Sequence, residues 1–327
     1  MRVLVTGSSG HLGEALVRTL RSSSHEVVGL DTLPSPFTSE NGSVADRAVV
    51  RHCMRGVDAV LHTATLHKPH IMTHPWGEFV DTNIDGTLIL LEEAVSAGVG
   101  GFVFTSTTSV LGDALTPPPN APAAWITEDV APEPANIYGI TKRAAEDLCL
   151  LFNRKHGLPC LVLRTSRFFP DEDDRTAIRE QYDDANVKTN EYLYRRVDVQ
   201  DAVDAHLLAM YRATRIGFGR YIISATTPFT RDDLAELRTN APLVLKRQFP
   251  TYEEVYARRG WRMFPGIERV YANGRARAEL GWEPKYDFGY VLGRLREDQD
   301  YRSPLARAVG TKGYHGGRFD GGRYPTE

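Results

Sequence analysis

Val5-Thr6-Gly7-Ser8-Ser9-Gly10-His11-Leu12-Gly13 is the stretch on which the fold turns. Its three glycines fall three residues apart. They follow an apolar run over Arg2–Val5 and precede a helical periodicity at Leu12, Leu16 and Leu20. In a strand–turn–helix unit each glycine has a task. Gly7 permits the tight turn, Gly10 lets main chain approach a diphosphate, and Gly13 lets helix and strand pack closely. The helix start, at His11 and Leu12, offers free N–H groups to phosphate oxygens. Glu26 to Leu30 reads as the next strand and closes on Asp31, about 20 residues on, where a carboxylate accepts hydrogen bonds from a ribose diol. A turn or cap role ahead of Thr32-Leu33-Pro34 is the competing account of Asp31. No arginine lies between Asp31 and Asp46 to offset repulsion of a 2′-phosphate, so NAD is expected rather than NADP.

Outward from this unit, Val57–His62, Phe102–Thr105 and Cys160–Arg164 read as further strands. Between them lie a helix from about Asn83 to a C-cap at Gly98, and another from Tyr138 to His156 stopped by Gly157-Leu158-Pro159. The alternation predicts an α/β fold, a doubly wound parallel sheet. Residues 171–195 are strongly charged and interrupt the rhythm. It resumes with a helix near Val199–Arg212 and a strand near Arg220–Ser224, and helix starts of capping-box type stand at Thr230 and Thr251. The expected organisation is a Rossmann domain of residues 1–167 and 196–225, a smaller discontinuous α/β substrate domain of 168–195 and 226–309, and a glycine-rich tail, 310–327.

The 327 residues are 42% hydrophobic and 25% charged with a net charge of −3, enough to bury a large core and without the basic footprint of a nucleic-acid or membrane binder. Cys53, Cys149 and Cys160 form no CxxC pair, and no apolar run has the length of a signal peptide or a membrane span, so a cytoplasmic protein with free thiols is expected. His62, His67, His70 and His74 cluster after the third clear strand, but their spacing matches no zinc pattern, and no metal is expected.

Tyr138 and Lys142 stand four apart at the start of a helix and share a face. A cation beside a phenol favours the phenolate, and such a phenol can exchange a proton with a substrate hydroxyl. The strand before it ends in hydroxyls, Phe104-Thr105-Ser106-Thr107-Thr108-Ser109, at the sheet end where ligands bind in such folds.

With these residues in place, the chain resembles the extended short-chain dehydrogenases/reductases, the group containing UDP-galactose 4-epimerase and nucleotide-sugar dehydratases. The stretches that carry the resemblance are TGSSGHLG (6–13), Asp31, DAVLHTA (58–64), NIDGT (83–87), FVFTSTTSVLG (102–112), YGITK (138–142), LVLR (161–164), VDVQDAVDAHLLA (197–209) and ELGWEPKYDF (279–288). It implies Thr107, Tyr138 and Lys142 as the catalytic set, with Tyr138 and Lys142 also contacting the cofactor. It implies nicotinamide contacts near Ser106, adenine contacts near Ser43 and Val44, Thr63, Ala64 and Thr65 along the dinucleotide, and a further cofactor contact at Thr165. Helices 83–98 and 138–156 carry apolar residues beyond one face, which fits burial against the sheet alone or the homodimer seam that the resemblance implies; a homodimer is expected.

Thr107 is followed by Thr108 and Ser109, not by the Asp-Glu of the 4,6-dehydratases, which disfavours dehydration. Arg164-Thr165-Ser166-Arg167 and the short stretch from Pro170 to Arg195 depart from the segment that grips the nucleotide in epimerases. Residues 164–175 are instead similar to uronate dehydrogenases, in which the arginine matching Arg175 binds a sugar carboxylate; a bidentate contact suits that role. His67, His70, Thr108, Arg167 and Arg175 are the expected substrate contacts. The function implied is hydride and proton transfer at a secondary alcohol of a sugar or nucleotide sugar, in the manner of a 4-epimerase. A dehydrogenase of a free sugar or sugar acid stays open, as does, from another class, a non-catalytic dinucleotide sensor.

Overall fold

In the computed structural model, which describes residues 1–313, seven strands form one parallel sheet. They are β1 (Arg2–Thr6), β2 (Glu26–Asp31), β3 (Glu40–Asn41), β4 (Ala59–His62), β5 (Gly101–Thr107), β7 (Cys160–Thr165) and β8 (Phe218–Ile223); β6 (Ala124–Ile126) pairs in parallel with β9 (Arg269–Tyr271) as a separate ribbon. The sheet order is β3-β2-β1-β4-β5-β7-β8. The chain therefore builds outward from β1 in one direction, returns, and builds outward in the other. The crevice between β1 and β4, where the direction reverses, is the ligand site of such a sheet.

Burial on both faces explains why the strands read as continuous apolar runs rather than alternating ones. Val3, Leu4 and Val5, or Phe102, Val103 and Phe104, lie in succession and are all buried. On one face, α1 (His11–Arg21) packs Leu12, Leu16 and Leu20 beside Val199, Val203 and Ala209 of a long later helix. On the other face lie α2 (Arg47–Cys53), the helix that starts as α3 (Trp76–Phe79) and continues as α4 (Gly86–Ala97), and α5 (Ile137–His156).

The remaining elements are α6 (Thr176–Gln181), α7 (Asp184–Glu191), α8 (Val199–Ile216), α9 (Leu234–Gln248), α10 (Tyr252–Arg258), α11 (Gly274–Leu280), α12 (Phe288–Arg296) and α13 (Pro304–Val309). A second apolar centre, away from the sheet, joins Val187, Leu237, Val244, Tyr256, Phe288 and Val291 from α7, α9, α10 and α12. Trp125 packs against it from β6, whereas Trp76 is 68% exposed.

One boundary and one cap differ from the sequence reading. The helix assigned from Asn83 begins seven residues earlier, at Trp76, and passes through a π-helical turn, Val80–Asp85, that contains Asn83. Asn83 is thus inside a helix and caps nothing. Of the two capping boxes, Thr230 forms one with Asp233, but Thr251 makes no side-chain cap. The expected tail lies outside the described residues beyond Gly313.

Candidate active site

A cleft of about 1010 Å³ runs along the C-terminal ends of β1, β4, β5 and β7. That is the upper end of the usual ~300–1,000 Å³ of a ligand pocket.

At one end, the glycine turn meets the strand ends. Gly7 has a φ of +70°, and a Cβ there would come within 2.7 Å of the Ala64 amide nitrogen. At Gly13 a Cβ would sit 1.9 Å from the Gly7 carbonyl oxygen. At Gly10 it would meet only that same oxygen, at 3.3 Å, so the missing side chain opens towards the cleft. This is a cradle that a side chain would fill, at the mouth of a helix N-terminus, and it suits a diphosphate. Asp31 holds the turn as well: its carboxylate accepts from the Ser9 and Leu33 amides, each at 2.9 Å. The turn role and a place on the cleft wall coexist. Ser43, Val44, Thr63, Ala64 and Thr65 line the same end, and Thr63 is fixed by its hydroxyl donating to the Thr6 carbonyl at 2.7 Å.

Midway, Tyr138 projects from the first turn of α5, started by Asn136, whose side chain accepts from the Gly139 amide at 3.0 Å. Its phenol lies beside the Thr107 hydroxyl at the end of β5, and both line the cleft. The phenol's acidity runs opposite to the sequence expectation. Burial pushes Tyr138 up to about 12, against the lowering effect of Thr107. Lys142 is buried behind the cleft wall, with its ammonium 4.0 Å from the centre of the Phe104 ring, and burial brings it down to about 7. Desolvation outweighs any help that the shared helix face gives the phenol.

Several lining residues face other tasks. The Ser106 hydroxyl donates to Glu146 at 2.7 Å, a carboxylate also held by Arg164, and Thr165 donates to the Ser106 carbonyl at 2.9 Å. They offer the cleft a shaped wall more than free hydroxyls. His67 and His70 form its roof. The His67 ring lies 6.1 Å from that of Tyr138, and the His67 amide donates to His70 Nδ1 at 2.9 Å. Burial, then the neighbouring charges, takes the His67 imidazole down to about 3, which keeps it neutral.

Asn83, from which the sequence started a helix, is a brace. It accepts from the Thr65 hydroxyl (2.8 Å) and the Leu66 amide (2.9 Å), and donates to the Leu66 carbonyl (3.1 Å) and Thr141 hydroxyl (3.0 Å). Its π-helical setting fits a habit of functional sites.

The far end is ionic. Asp173 and Glu191, both buried, pair with Arg167 (2.8 and 3.2 Å) and Arg195 (2.9 and 2.7 Å), and Glu191 pairs with Arg196 at 2.8 Å. The run Asp171–Asp174 is therefore no simple solvated loop: Asp173 turns inward, and Asp171 and Asp174 line the cleft. That inward turn leaves Arg175 outside, its side chain 62% exposed at the head of α6, so the structure does not bring it into the cleft. Arg167, Thr108, Arg195, Arg269 and Tyr271 do line it. Sequence reasoning missed Arg195, Arg269 and Tyr271. Arg269 has no ion pair among the described residues, and its buried Nε has no hydrogen-bond partner.

No group of His, Cys, Asp and Glu that could hold a metal occurs among the described residues, and none of their helices is long and apolar enough to cross a membrane.

With this geometry in hand, known proteins offer a comparison. An uncharacterized protein, y4nG of Sinorhizobium fredii, is 32% identical over 169 residues, 49% of this chain and 39% of that protein. A uronate dehydrogenase of Pseudomonas syringae pv. tomato is 28% identical over 53% of this chain and 62% of its own length. A UDP-glucose 4-epimerase of Azospirillum brasilense is 25% identical over 97% of this chain and 96% of its own. Three of the curated relatives are spanned over only 39%, 55% and 66% of their length. A short-chain dehydrogenase/reductase superfamily protein from Agrobacterium tumefaciens, solved with bound NAD, superposes with a TM-score of 0.64 at 24% identity, over 94% of this chain and 99% of that one. The model of the NAD dependent epimerase/dehydratase family matches residues 3–223. The chain belongs to that family, the extended branch of the NAD-dependent short-chain dehydrogenases/reductases.

Proposed function

We propose that the protein oxidises a secondary alcohol of a sugar or nucleotide sugar with NAD and returns the hydride to the other face, as a 4-epimerase does. The observation that carries this reading is that Tyr138 and Thr107 line the same cleft as the glycine cradle. The cradle of Gly7, Gly10 and Gly13 would hold the diphosphate, Asp31 the adenosine ribose, and Lys142, one turn beyond Tyr138, the nicotinamide ribose. When bound, NAD supplies a hydride acceptor and a fixed positive charge beside the phenol. Thr107 positions the substrate oxygen, and Tyr138 takes its proton and later gives it back. Neutral His67 above the phenol excludes water and orients a substrate hydroxyl. Likeness to the Azospirillum epimerase over nearly the whole chain supports this reading.

A second reading, net dehydrogenation of a sugar acid or another anionic sugar, is favoured by one observation: Arg269 faces the cleft without an ion pair among the described residues. Arg195 and Arg269, and not Arg175, would then hold the anion. The domain division given by the sequence is kept as part of the proposal, and so is a cytoplasmic homodimer, because Trp76, Val80, Ile140 and Leu151 expose apolar surface on the helices of the expected seam.

Purified protein with NAD and a panel of sugars, sugar acids and nucleotide sugars decides between the two. Isomer interconversion without accumulated NADH is the expected result; steady NADH release supports the second reading. Turnover that survives Thr107→Val and Tyr138→Phe removes both.

A further inference from the structure

The first turn of α1 carries an unexpected charge. Glu14 lies one turn below the N–H groups of the glycine cradle, and its side chain is 2% exposed. A carboxylate there complements the helix dipole, but it also repels an anion bound at the same helix end. Two cations answer it. Arg18 reaches it from within the helix at 2.7 Å, and Lys312 reaches it from the opposite end of the chain.

The route of the chain explains how Lys312 gets there. Ser303 starts α13 and donates through its amide to Asp198 at 3.1 Å. Val309 is buried beside Leu12 and Leu16 of α1. The chain then crosses the mouth of α1, where the Lys312 amide donates to His11 Nε2 at 3.0 Å and Gly313 lines the cleft. His11 is a neutral acceptor: burial, then the Lys312 charge, brings its imidazole down to about 4.

The geometry points to Lys312 as a cofactor-positioning residue: by neutralising Glu14 at the mouth of α1, it allows the cradle to accept a diphosphate. This rests on the reading of the cleft as an NAD site. Without Lys312, Glu14 keeps one cation partner, placed a turn further from the phosphates. A purely structural tether would also use these contacts, so the test separates charge from anchoring.

NAD binding is measured by titration calorimetry on the full chain for wild type, Lys312→Ala, Lys312→Arg and the double variant Lys312→Ala with Glu14→Gln, with thermal unfolding alongside. Lys312→Ala is expected to weaken NAD binding about fivefold, the scale of one charge at a helix end, and by less at high salt. Lys312→Arg keeps the affinity, and Glu14→Gln in the Lys312→Ala background restores most of it. NAD affinity in Lys312→Ala within twofold of wild type overturns the inference, and so does a loss that Glu14→Gln fails to restore. A wild-type protein that binds no NAD overturns the cofactor reading itself, and is thereby told apart from a failure of Lys312 alone.

Discussion

The diphosphate end of the cleft is shaped by main chain within nine consecutive residues, whereas the far end collects Arg167, Asp173, Glu191 and Arg195 from separate segments and fixes them by charge, with Arg269 beside them outside that ionic net. The two ends fail in opposite ways. A single methyl group at Gly13 would collide with the Gly7 carbonyl, yet the cradle has little stake in any one side chain's charge beyond Glu14 and its partners. The far end is expected to tolerate changes of shape on its exposed rim, as at Arg175, but to lose its framework with one buried carboxylate. Between them sits a phenol that neither end controls directly.

Four substitutions press on that contrast. Tyr138→Phe is expected to lower turnover about thousandfold, the middle of the range for a lost acid–base group, with NAD affinity within about twofold of wild type. Single-turnover kinetics with calorimetry checks it; a parallel loss of NAD affinity would show that the middle belongs to the cofactor end.

Glu191→Gln is expected to cost about 3–5 kcal/mol of stability, because it strips the shared partner from buried arginines. Burial pushes the Glu191 carboxyl up, but Arg195, Arg196 and Arg167 overcome that and hold it well below the usual carboxylate range. The stability it contributes is therefore complete above the unfolded pKa of ~4.3 and is lost as pH falls towards the folded value. Urea unfolding across acidic pH should show a steeper decline for wild type than for Glu191→Gln. Equal slopes would mean that charge does not hold the far end.

Arg269→Ala is expected to raise KM about tenfold or more with kcat little changed, as for a charged hydrogen bond to substrate, and to leave Tm unaltered. An unchanged KM would empty the far end of its substrate role. Arg175→Ala should be the mildest, within about 0.5 kcal/mol in stability and twofold in kcat/KM, as befits an exposed side chain. A large kinetic loss there would return Arg175 to the cleft and break the contrast.

The same contrast governs what could be read in advance. The cradle was legible because backbone demands write themselves as glycines at fixed spacing: Gly7, Gly10 and Gly13 mark the crevice, and Asp31 closes β2 as expected. The long buried strands were legible from their apolar runs. β3, two residues long, and the ribbon of β6 and β9, three each, were not, because so short a pairing has no period. The far end was misjudged because ionic pairing is long-range. Nothing near Asp173 says that Arg195 will claim it, and the local similarity to uronate dehydrogenases that singled out Arg175 carries no sign of that inward turn. The phenol's acidity was misjudged because helix spacing sets which residues share a face, but the depth of burial set the sign.

All four hydrogen-bonding positions of the Asn83 amide are taken, two by the segment over the cleft and one each by the hydroxyls of Thr65 and Thr141. Thr141 is the immediate neighbour of Lys142. Asn83 thus ties the loop after β4 directly to the helix that carries Tyr138. Under the proposed function, cofactor loading and alignment of the Tyr138 hydroxyl would become one event, and a leucine at position 83 would let each occur without the other.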